Sequence, residues 1–213
     1  GIQVDTLENE LQATLSIENT KIENMTSAGI YAQGSSIKAS NCLIANCGQF
    51  AVALTLGGKY EFYHCTIANY WNYSTRSTPS LFLNNYYTDV NDVVQLRPLK
   101  NARFGNCIIY GNKENEITFD KNDNIDFNFM FNHCLLKIDE QTQTSDTDFY
   151  KEIIKNISPN FVSSYDFDFQ LDTLSIAKDA GSIEIGQMFP NDINGNSRIA
   201  DDGPDLGVFE RIE

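Results

Sequence analysis

Residues 37–44 read IKASNCLI, and the same pattern of residue types returns as YEFYHCTI at 60–67, ARFGNCII at 102–109 and FMFNHCLL at 129–136. An earlier copy, LSIENTKI at 15–22, has a threonine where the others have a cysteine. Successive copies are spaced by 22, 23, 42 and 27 residues, counted between Thr20, Cys42, Cys65, Cys107 and Cys134. A period in the low twenties with a two-residue alternation inside each copy predicts a solenoid of short strands.

Each copy places four apolar or small residues on one face of the chain. The residues five and three places before the cysteine share a face, because alternate residues of a strand point to opposite sides. The cysteine and the residue two places after it join that face only if one extra residue separates the two pairs. We expect the Asn or His before the cysteine to be that residue, bent into the left-handed region, which Asn tolerates. The predicted ladder of stacked bends and thiols consists of Asn19, Asn41, His64, Asn106, His133, Cys42, Cys65, Cys107 and Cys134.

A third strand per coil is expected at 29–32, 51–54, 81–83 and 117–119. Three short strands around one core resemble the right-handed parallel β-helix, the superfamily that includes the pectate lyases. The resemblance covers roughly residues 11–140 and rests on the repeat, not on catalytic motifs. The predicted fold is therefore all-β, a right-handed parallel β-helix solenoid with a long loop insertion and a C-terminal capping segment.

The C-terminal part is similar to the closing segment of bacterial secreted β-helix proteins, the one called the choice-of-anchor Q type. Five blocks carry this resemblance, at 158–161, 168–171, 178–181, 192–198 and 204–210. It implies an extracellular or cell-surface bacterial protein whose stack of coils ends here, and it implies no reaction. In this pattern Arg198, Asp205 and Glu210 are expected to be a structural cap that locks the end of the chain.

The copies also divide the chain. Residues 1–140 are predicted to be coils, with an insertion at about 70–100 that the 42-residue spacing requires, and 141–213 an irregular closing segment packed on the same solenoid. Residues 1–14 fit an incomplete coil or a short helix. Residues 139–148 are predicted to be a surface loop and 151–157 a helical turn or two.

Charge restricts the partners. The net charge is −14 with a pI near 4.4, which argues against nucleic acid because phosphate binding needs clustered Lys and Arg. Acidic polysaccharides are disfavoured unless calcium bridges them, so a neutral polysaccharide or a surface protein is the expected partner. No apolar run approaches the roughly 20 residues of a membrane span. The sequence starts in an amphipathic stretch without a signal peptide, as a truncated mature chain would.

Five cysteines would ordinarily suggest disulfides and one leftover thiol in a secreted protein. Four of them stack at one inward position, where parallel side chains from adjacent strands make disulfide geometry difficult. Cys47 is expected to be buried beside the bend. The prediction is five free thiols.

The insertion is the main candidate for a binding surface, because aromatic walls with a few fixed polar groups are typical of binding sites and long loops on rigid scaffolds often carry function. The competing interpretation is that its aromatic residues pack back onto the coils. The two histidines occupy bend positions and are interpreted as ladder members rather than catalytic or metal-binding groups. The candidate ligand-binding residues are Trp71, Tyr73, Arg76, Tyr86, Tyr87 and Asp89.

Catalytic and metal signals are weak. Residues 97–103 resemble the arginine-rich motif of pectate lyases, but Pro98 and a longer spacing between the arginines depart from it. A glycoside hydrolase would need paired carboxylates on one face; Asp120, Asp123 and Asp126 are available but lie in a turn-like stretch. Residues 192–196 resemble the start of a calcium loop without its closing Glu. No catalytic residue, metal or cofactor is assigned, and calcium is the alternative. The leading hypothesis is a noncatalytic glycan- or partner-binding module; the alternatives are a fragment of a polysaccharide lyase or glycoside hydrolase, and a structural spacer of a surface adhesin.

Overall fold

The computed structural model describes residues 1–5 and 14–212. Its coils stack through parallel strands, and the third strand of each coil forms a sheet of its own. This first sheet contains, side by side and in this order, β1 (Ile2–Val4), β4 (Ile30–Gln33), β7 (Val52–Thr55), β10 (Leu81–Asn84) and β15 (Ile117–Asp120). The four predicted third strands are thereby confirmed, and β1 adds a strand at 2–4. The sequence left a coil or a short helix as alternatives for residues 1–14, and residues 6–13 of this stretch lie outside the described part.

The second sheet has two rows of strands that meet in the long strand β16 (Phe127–Leu136). One row contains β2 (Leu15–Glu18), β5 (Ser36–Ser40), β8 (Gly58–Tyr63) and β13 (Leu99–Gly105). The other row contains β3 (Lys21–Glu23), β6 (Leu43–Ala45), β9 (Thr66–Asn69) and β14 (Ile108–Gly111). In each coil the bend residue lies between the two rows.

The core follows the predicted register. The residues three places before the bend cysteines pair across strands, Phe62 with Phe104 and Phe104 with Phe131. Their rings stack with centroids 5.2 and 4.9 Å apart and interplanar angles of 12° and 15°. All three side chains are buried, which stabilises the fold by roughly 1.5–3 kcal/mol each.

A sixth coil continues the stack where the sequence indicated a helical turn. Residues 151–157 were expected to be helical, and that expectation is wrong: β17 (Tyr150–Lys155) pairs in parallel with β16. Glu152, at φ 50°, occupies the bend position and Ile153 stands opposite Cys134. The copy escaped detection because neither its bend residue nor its cysteine position has the usual residue type. The coils thus extend past the predicted boundary at 140 to Lys155.

The insertion at 70–100 is not one excursion. Strand β10 returns to the core in its middle, so a loop at 70–80 precedes β10 and an antiparallel hairpin follows it, with strands β11 (Tyr86–Thr88) and β12 (Val94–Leu96). The apolar residues Leu81 and Leu83 are fully buried, and their burial favours the return of the chain to the stack.

The C-terminal segment covers the side of the solenoid and not its end, which corrects the expected cap. It contains the hairpin of β18 (Phe161–Ser163) and β19 (Asp168–Leu171), a 3₁₀ turn at 164–166 and the short helix α1 (Ile183–Met188). Its apolar residues pack on outward side chains of the second row, which belong to four successive coils. These outward residues are Leu43, Ala45, Ala68, Ile108, Tyr110 and Leu135. They are apolar, so burial on the flank was favoured over exposure. We call residues 157–212 the flank segment.

Among the described residues, no helix has the length and hydropathy that crossing a membrane requires.

Candidate functional site

The five predicted bend residues all adopt the left-handed conformation, with φ between 48° and 51°. Their backbone N–H groups donate to the next coil, as from His64 to the Gly105 carbonyl at 2.9 Å. Side chains add to the ladder at two steps: Asn41 Nδ2 donates to Asn19 Oδ1 at 3.3 Å, and Asn106 Nδ2 lies 3.1 Å from His64 Nε2. The bend is therefore a repeated structural element.

The bends also explain the cysteines. The thiol after each bend donates to the carbonyl oxygen two residues before it, as from Cys65 to Tyr63 at 3.3 Å and from Cys107 to Gly105 at 3.2 Å. Thr20 makes the same contact with its hydroxyl, 2.8 Å from the Glu18 carbonyl. Cys47 repeats it after a second left-handed bend in its coil, at Asn46. A small side chain with a donor is what this position requires.

All five cysteines are buried free thiols, as predicted. Burial raises the pKa of the Cys65 and Cys107 thiols well above the ordinary value and that of Cys47 to about 11. The protonated thiols are poor nucleophiles.

His64 is fully buried, and burial together with the nearby Arg198 charge lowers its pKa well below the ordinary value. Burial also lowers the pKa of His133, whose Nδ1 lies 2.8 Å from Asn132 Oδ1. Both rings are neutral at pH 7 and lie in the ladder. No cluster of three or more His, Cys, Asp or Glu residues suited to a metal ion occurs in the described ranges.

The six insertion residues do not come together. Trp71 and Tyr73 lie before β10, with ring centroids 4.9 Å apart at 64°, and Trp71 Nε1 donates to Ser74 Oγ at 2.9 Å. Tyr73 is 66% exposed, whereas Trp71 is half-buried. Arg76 is buried and ion-paired with Glu116 at 2.6 Å, which holds the loop on the coils. Arg76 therefore has a structural role and is not available to a ligand.

Tyr86, Tyr87 and Asp89 lie beyond the other end of β10. The Tyr86 hydroxyl donates to Asp120 Oδ1 at 2.7 Å, and the Arg97 guanidinium lies 5.3 Å from the Tyr87 ring centroid. Asp89 accepts from the Asn91 and Val93 amides at 2.9 and 3.1 Å, which closes the hairpin turn. These contacts support packing for this half of the insertion.

Arg198, Asp205 and Glu210 do come together. Arg198 Nη1 donates to Glu210 at 3.0 Å, and Nη2 donates to Asn41 Oδ1 at 3.1 Å, which joins the flank segment to the bend ladder. The Asp205 amide donates to Glu210, and Asp192 accepts from the Glu210 amide at 2.9 Å. We call Asp192, Arg198, Asp205 and Glu210 the flank lock. Burial, with the neighbouring Asp205, raises the pKa of Glu210 to about 8 despite Arg198.

The run that resembles a calcium loop is closed by hydrogen bonds. Asp192 Oδ1 accepts from the Asn194 and Asn196 amides at 2.8 Å each, and Oδ2 accepts from the Asn196 side chain at 3.2 Å. Its carboxylate orders this turn and the start of the flank lock.

A groove of about 710 Å³ crosses the outer face of the first row where it meets α1. Tyr63, Gly105, Asn132 and Lys151 form its floor, in register on β8, β13, β16 and β17. Helix α1 forms one wall. We call this the sheet groove; its other polar lining residues are Asn101, Arg103, Asn128, Asp148 and Glu184.

Gly105 makes the floor of the sheet groove flat. A Cβ there would lie 2.8 Å from Ile185 Cδ1 and 2.8 Å from the Tyr63 ring. Ile185 of α1 is buried against this spot and Phe189 stacks on Tyr63 with centroids 5.3 Å apart. The flank segment thus builds the wall, which is why sequence reasoning missed the groove: its residues come from five separated stretches.

The sheet groove combines donors and acceptors of balanced charge. Its lining includes the cations Arg103 and Lys151, the anions Asp148 and Glu184, and three asparagines. Arg103 Nε donates to Asn101 Oδ1 at 3.2 Å. Within the described residues, Lys151 Nζ and Asn132 Nδ2 have no hydrogen-bond partner. Burial and Glu61 raise the pKa of Tyr63, partly opposed by Arg103, so the phenol stays protonated at pH 7.

A second depression of about 710 Å³ lies beside Asn19 and Asn41, under residues 188–195. Its amides are already engaged: Asn41 Nδ2 donates to the Asn191 carbonyl at 2.9 Å and to Asn19 at 3.3 Å. The sheet groove therefore offers more to a ligand.

The geometry defines the class of protein: a parallel solenoid with three short strands per coil and a covered flank. The model of a family described as "Right handed beta helix region" matches residues 1–139, more than half of the chain. The chain belongs to this family. No curated protein and no solved structure matches it significantly.

Proposed function

We propose that the chain is a noncatalytic module that binds a neutral polysaccharide in the sheet groove. The observation that carries the proposal is the row of Tyr63, Gly105, Asn132 and Lys151 across four strands spaced by about 4.8 Å. Asn132 and Lys151 offer donors on adjacent strands, Tyr63 offers one two strands away across the flat Gly105, and Arg103 lies two residues before Gly105. Such spacing suits the repeating hydroxyls of an extended sugar chain.

Charge supports a neutral ligand over an acidic one. The groove has two cations and two anions, and the whole chain has a net charge of −14, so a polyanion gains little there and is repelled elsewhere. The amides of Asn101, Asn128 and Asn132 can both donate to and accept from hydroxyls. The Tyr63 ring is half-buried under Phe189, which leaves its hydroxyl as a polar contact rather than a stacking face.

We place this module outside the cell, on a bacterial surface or in a secreted protein. The C-terminal blocks that are similar to choice-of-anchor Q segments support this setting. In the structure these blocks form the flank segment, whose residues build one wall of the sheet groove.

A fragment of a polysaccharide lyase or hydrolase is the second candidate, because Arg103 shares the sheet groove with Asp148 and Glu184. A lyase needs a base that is deprotonated near its working pH. Tyr63, whose pKa is raised, does not suit that role. The structural-spacer hypothesis requires that neither surface binds a ligand.

One glycan-array experiment separates these possibilities. Wild type is screened beside an Arg103→Ala, Asn132→Ala variant and a Trp71→Ala, Tyr73→Ala variant, all with matched melting temperatures. Loss of binding in the first variant alone supports the sheet groove. Loss in the second alone moves the site to the loop at 70–80. Binding by none of the three proteins contradicts the proposal and favours the spacer, and release of reducing or unsaturated ends from a bound glycan favours the enzyme.

A further inference from the structure

The solenoid is open beside β15. In the first sheet β10 occupies one edge of β15, and no other strand within residues 1–5 and 14–212 pairs with the opposite edge. The coil after that of β15 begins with β16, and residues 137–149, which join β16 to β17, contain no strand and add none to the first sheet. After β17 the chain turns onto the flank. The fifth coil therefore lacks its third strand, and the edge of β15 that would face it is unpaired.

An aromatic hollow of about 610 Å³ lies at this place. Phe119 continues the inward row of Leu54 and Leu83, but it is only half-buried, whereas those two are fully buried. Phe129 stacks between Phe119 and Phe149, with centroids 4.6 and 4.8 Å apart. We call this the end hollow; Phe119, Ile125, Phe127, Phe129 and Phe149 are its apolar lining.

The rim of the end hollow is acidic. Lys121 Nζ lies 2.8 Å from Asp123 Oδ1, so the charge of Lys121 is offset. Asp126, also in the lining, has no described ion-pair partner, and the rim carries an excess of negative charge.

We propose that an extended segment of another polypeptide adds to β15 as the missing parallel strand of the fifth coil. Its backbone would bond to the free edge of β15, and two alternate apolar side chains would enter the end hollow. The existing register defines the pattern: Leu81 and Leu83 of β10 stand opposite Ile117 and Phe119 across the other edge. The acidic rim selects basic residues beside the strand.

A strand explains both features of this end, whereas a small apolar molecule or a sugar explains only one. A sugar could stack on the rings and bond to Asn124 or Asn128 of the lining, but it would leave the edge of β15 unpaired. A small apolar molecule would fill the hollow but leave the edge of β15 unpaired. This surface is separate from the sheet groove, so the proposal does not depend on glycan binding.

The test uses a labelled, end-capped peptide that places the sequence of residues 80–84, Ser-Leu-Phe-Leu-Asn, between two lysines. Its binding to the full chain is followed by fluorescence anisotropy. We expect saturable binding, at least tenfold weaker binding of a peptide with both leucines changed to serine, and weaker binding at higher salt.

Two protein variants locate the site. Phe127→Ser removes a half-buried ring of the end hollow, and Phe50→Ser removes a half-buried ring that contacts Phe82 elsewhere. Circular dichroism checks that both are folded. The proposal requires that Phe127→Ser weakens peptide binding at least fivefold and that Phe50→Ser does not.

Equal binding by both variants, equal binding of the serine peptide, or no saturable binding would overturn it. Binding of an apolar dye in the end hollow without binding of the peptide would show a small-molecule cavity instead of a strand site.

Discussion

The coils and the flank segment both bury polar groups that need hydrogen-bond or charge partners, and they provide these partners in opposite ways. In the coils, one bend with a left-handed residue and a small donor after it recurs, and each copy is bonded by the next. In the flank segment the flank lock occurs once, and it buries three carboxylates around one guanidinium. The coils compensate the desolvation of their polar groups with many weak hydrogen bonds, whereas the flank lock does so with a few charged groups.

This difference has an energetic consequence. Loss of one bend contact removes a neutral hydrogen bond, for which the net effect is about 0.5–1.5 kcal/mol. Loss of the buried cation leaves charges without compensation, which costs several times more. The coils should therefore tolerate substitution better than the flank lock.

The largest effect is expected from Arg198→Met. Glu210, Asp192 and Asp205 would remain buried without their cation, and the free energy of unfolding should fall by about 3–5 kcal/mol in urea denaturation at pH 9, where Glu210 is ionised. An Arg198→Met, Glu210→Leu variant removes both partners of the ion pair and should recover part of the lost stability. Equal destabilisation of the two variants would mean that the contact of Arg198 with Asn41, not its charge, dominates.

The next effect concerns pH. The pKa of Glu210 is raised from 4.5 to about 8, chiefly by burial, so the folded state binds this proton more tightly than the unfolded state. Its stabilising contribution is complete below pH 4.5 and is lost as pH rises towards 8, by up to a few kcal/mol. Thermal unfolding of wild type and Glu210→Gln between pH 5 and 8 measures it. The decrease should be smaller in the variant, and parallel curves would contradict the assignment.

A smaller effect compares two bends of the same ladder. The Asn106 side chain is bonded to His64 Nε2, donates to the Ser182 carbonyl and accepts from the Ser182 amide, so it joins the ladder to the flank segment. Asn19, at the first described bend, is exposed. Asn106→Ala should lower the free energy of unfolding by about 2 kcal/mol and Asn19→Ala by about 1 kcal/mol or less. Asn106→Gly, which keeps the left-handed bend without strain, separates backbone from side chain. If the two alanine variants were equal, the flank segment would add nothing to the ladder.

The sequence predicts what the solenoid repeats. Five coils, the third strands of four of them, the bend conformation at Asn41 and its equivalents, and the buried thiols all follow from one alternation with one extra residue. The sixth coil was missed because Glu152 and Ile153 replace the residue types that marked the others. The bend depends on backbone conformation, and residue type reports that conformation only statistically.

The sequence does not predict what occurs once. Arg198, Asp205 and Glu210 were identified through a resemblance, but their place on the flank depends on contacts such as that of Arg198 with Asn41, 157 residues apart. The sheet groove is likewise formed by α1 against β8 and β13, far away in the chain. The insertion was treated as one aromatic surface although the strand expected at 81–83 divides it, because the spacing between copies gives the length of the excess and not its position.

The smallest effect tests why the residue after the bend is a cysteine. Tyr63 O accepts from the Cys65 thiol at 3.3 Å and also from the Asn41 amide at 3.1 Å, so the thiol occupies a second lone pair. Thr and Val have nearly the same volume, and only Thr retains a donor. Cys65→Thr should therefore be more stable than Cys65→Val by about 0.5 kcal/mol in urea denaturation. Thr20, which already uses its hydroxyl in this way, indicates that the coil accepts the substitution. A Val variant as stable as the Thr variant would show that small size alone, and not the donor, selects cysteine at the bends.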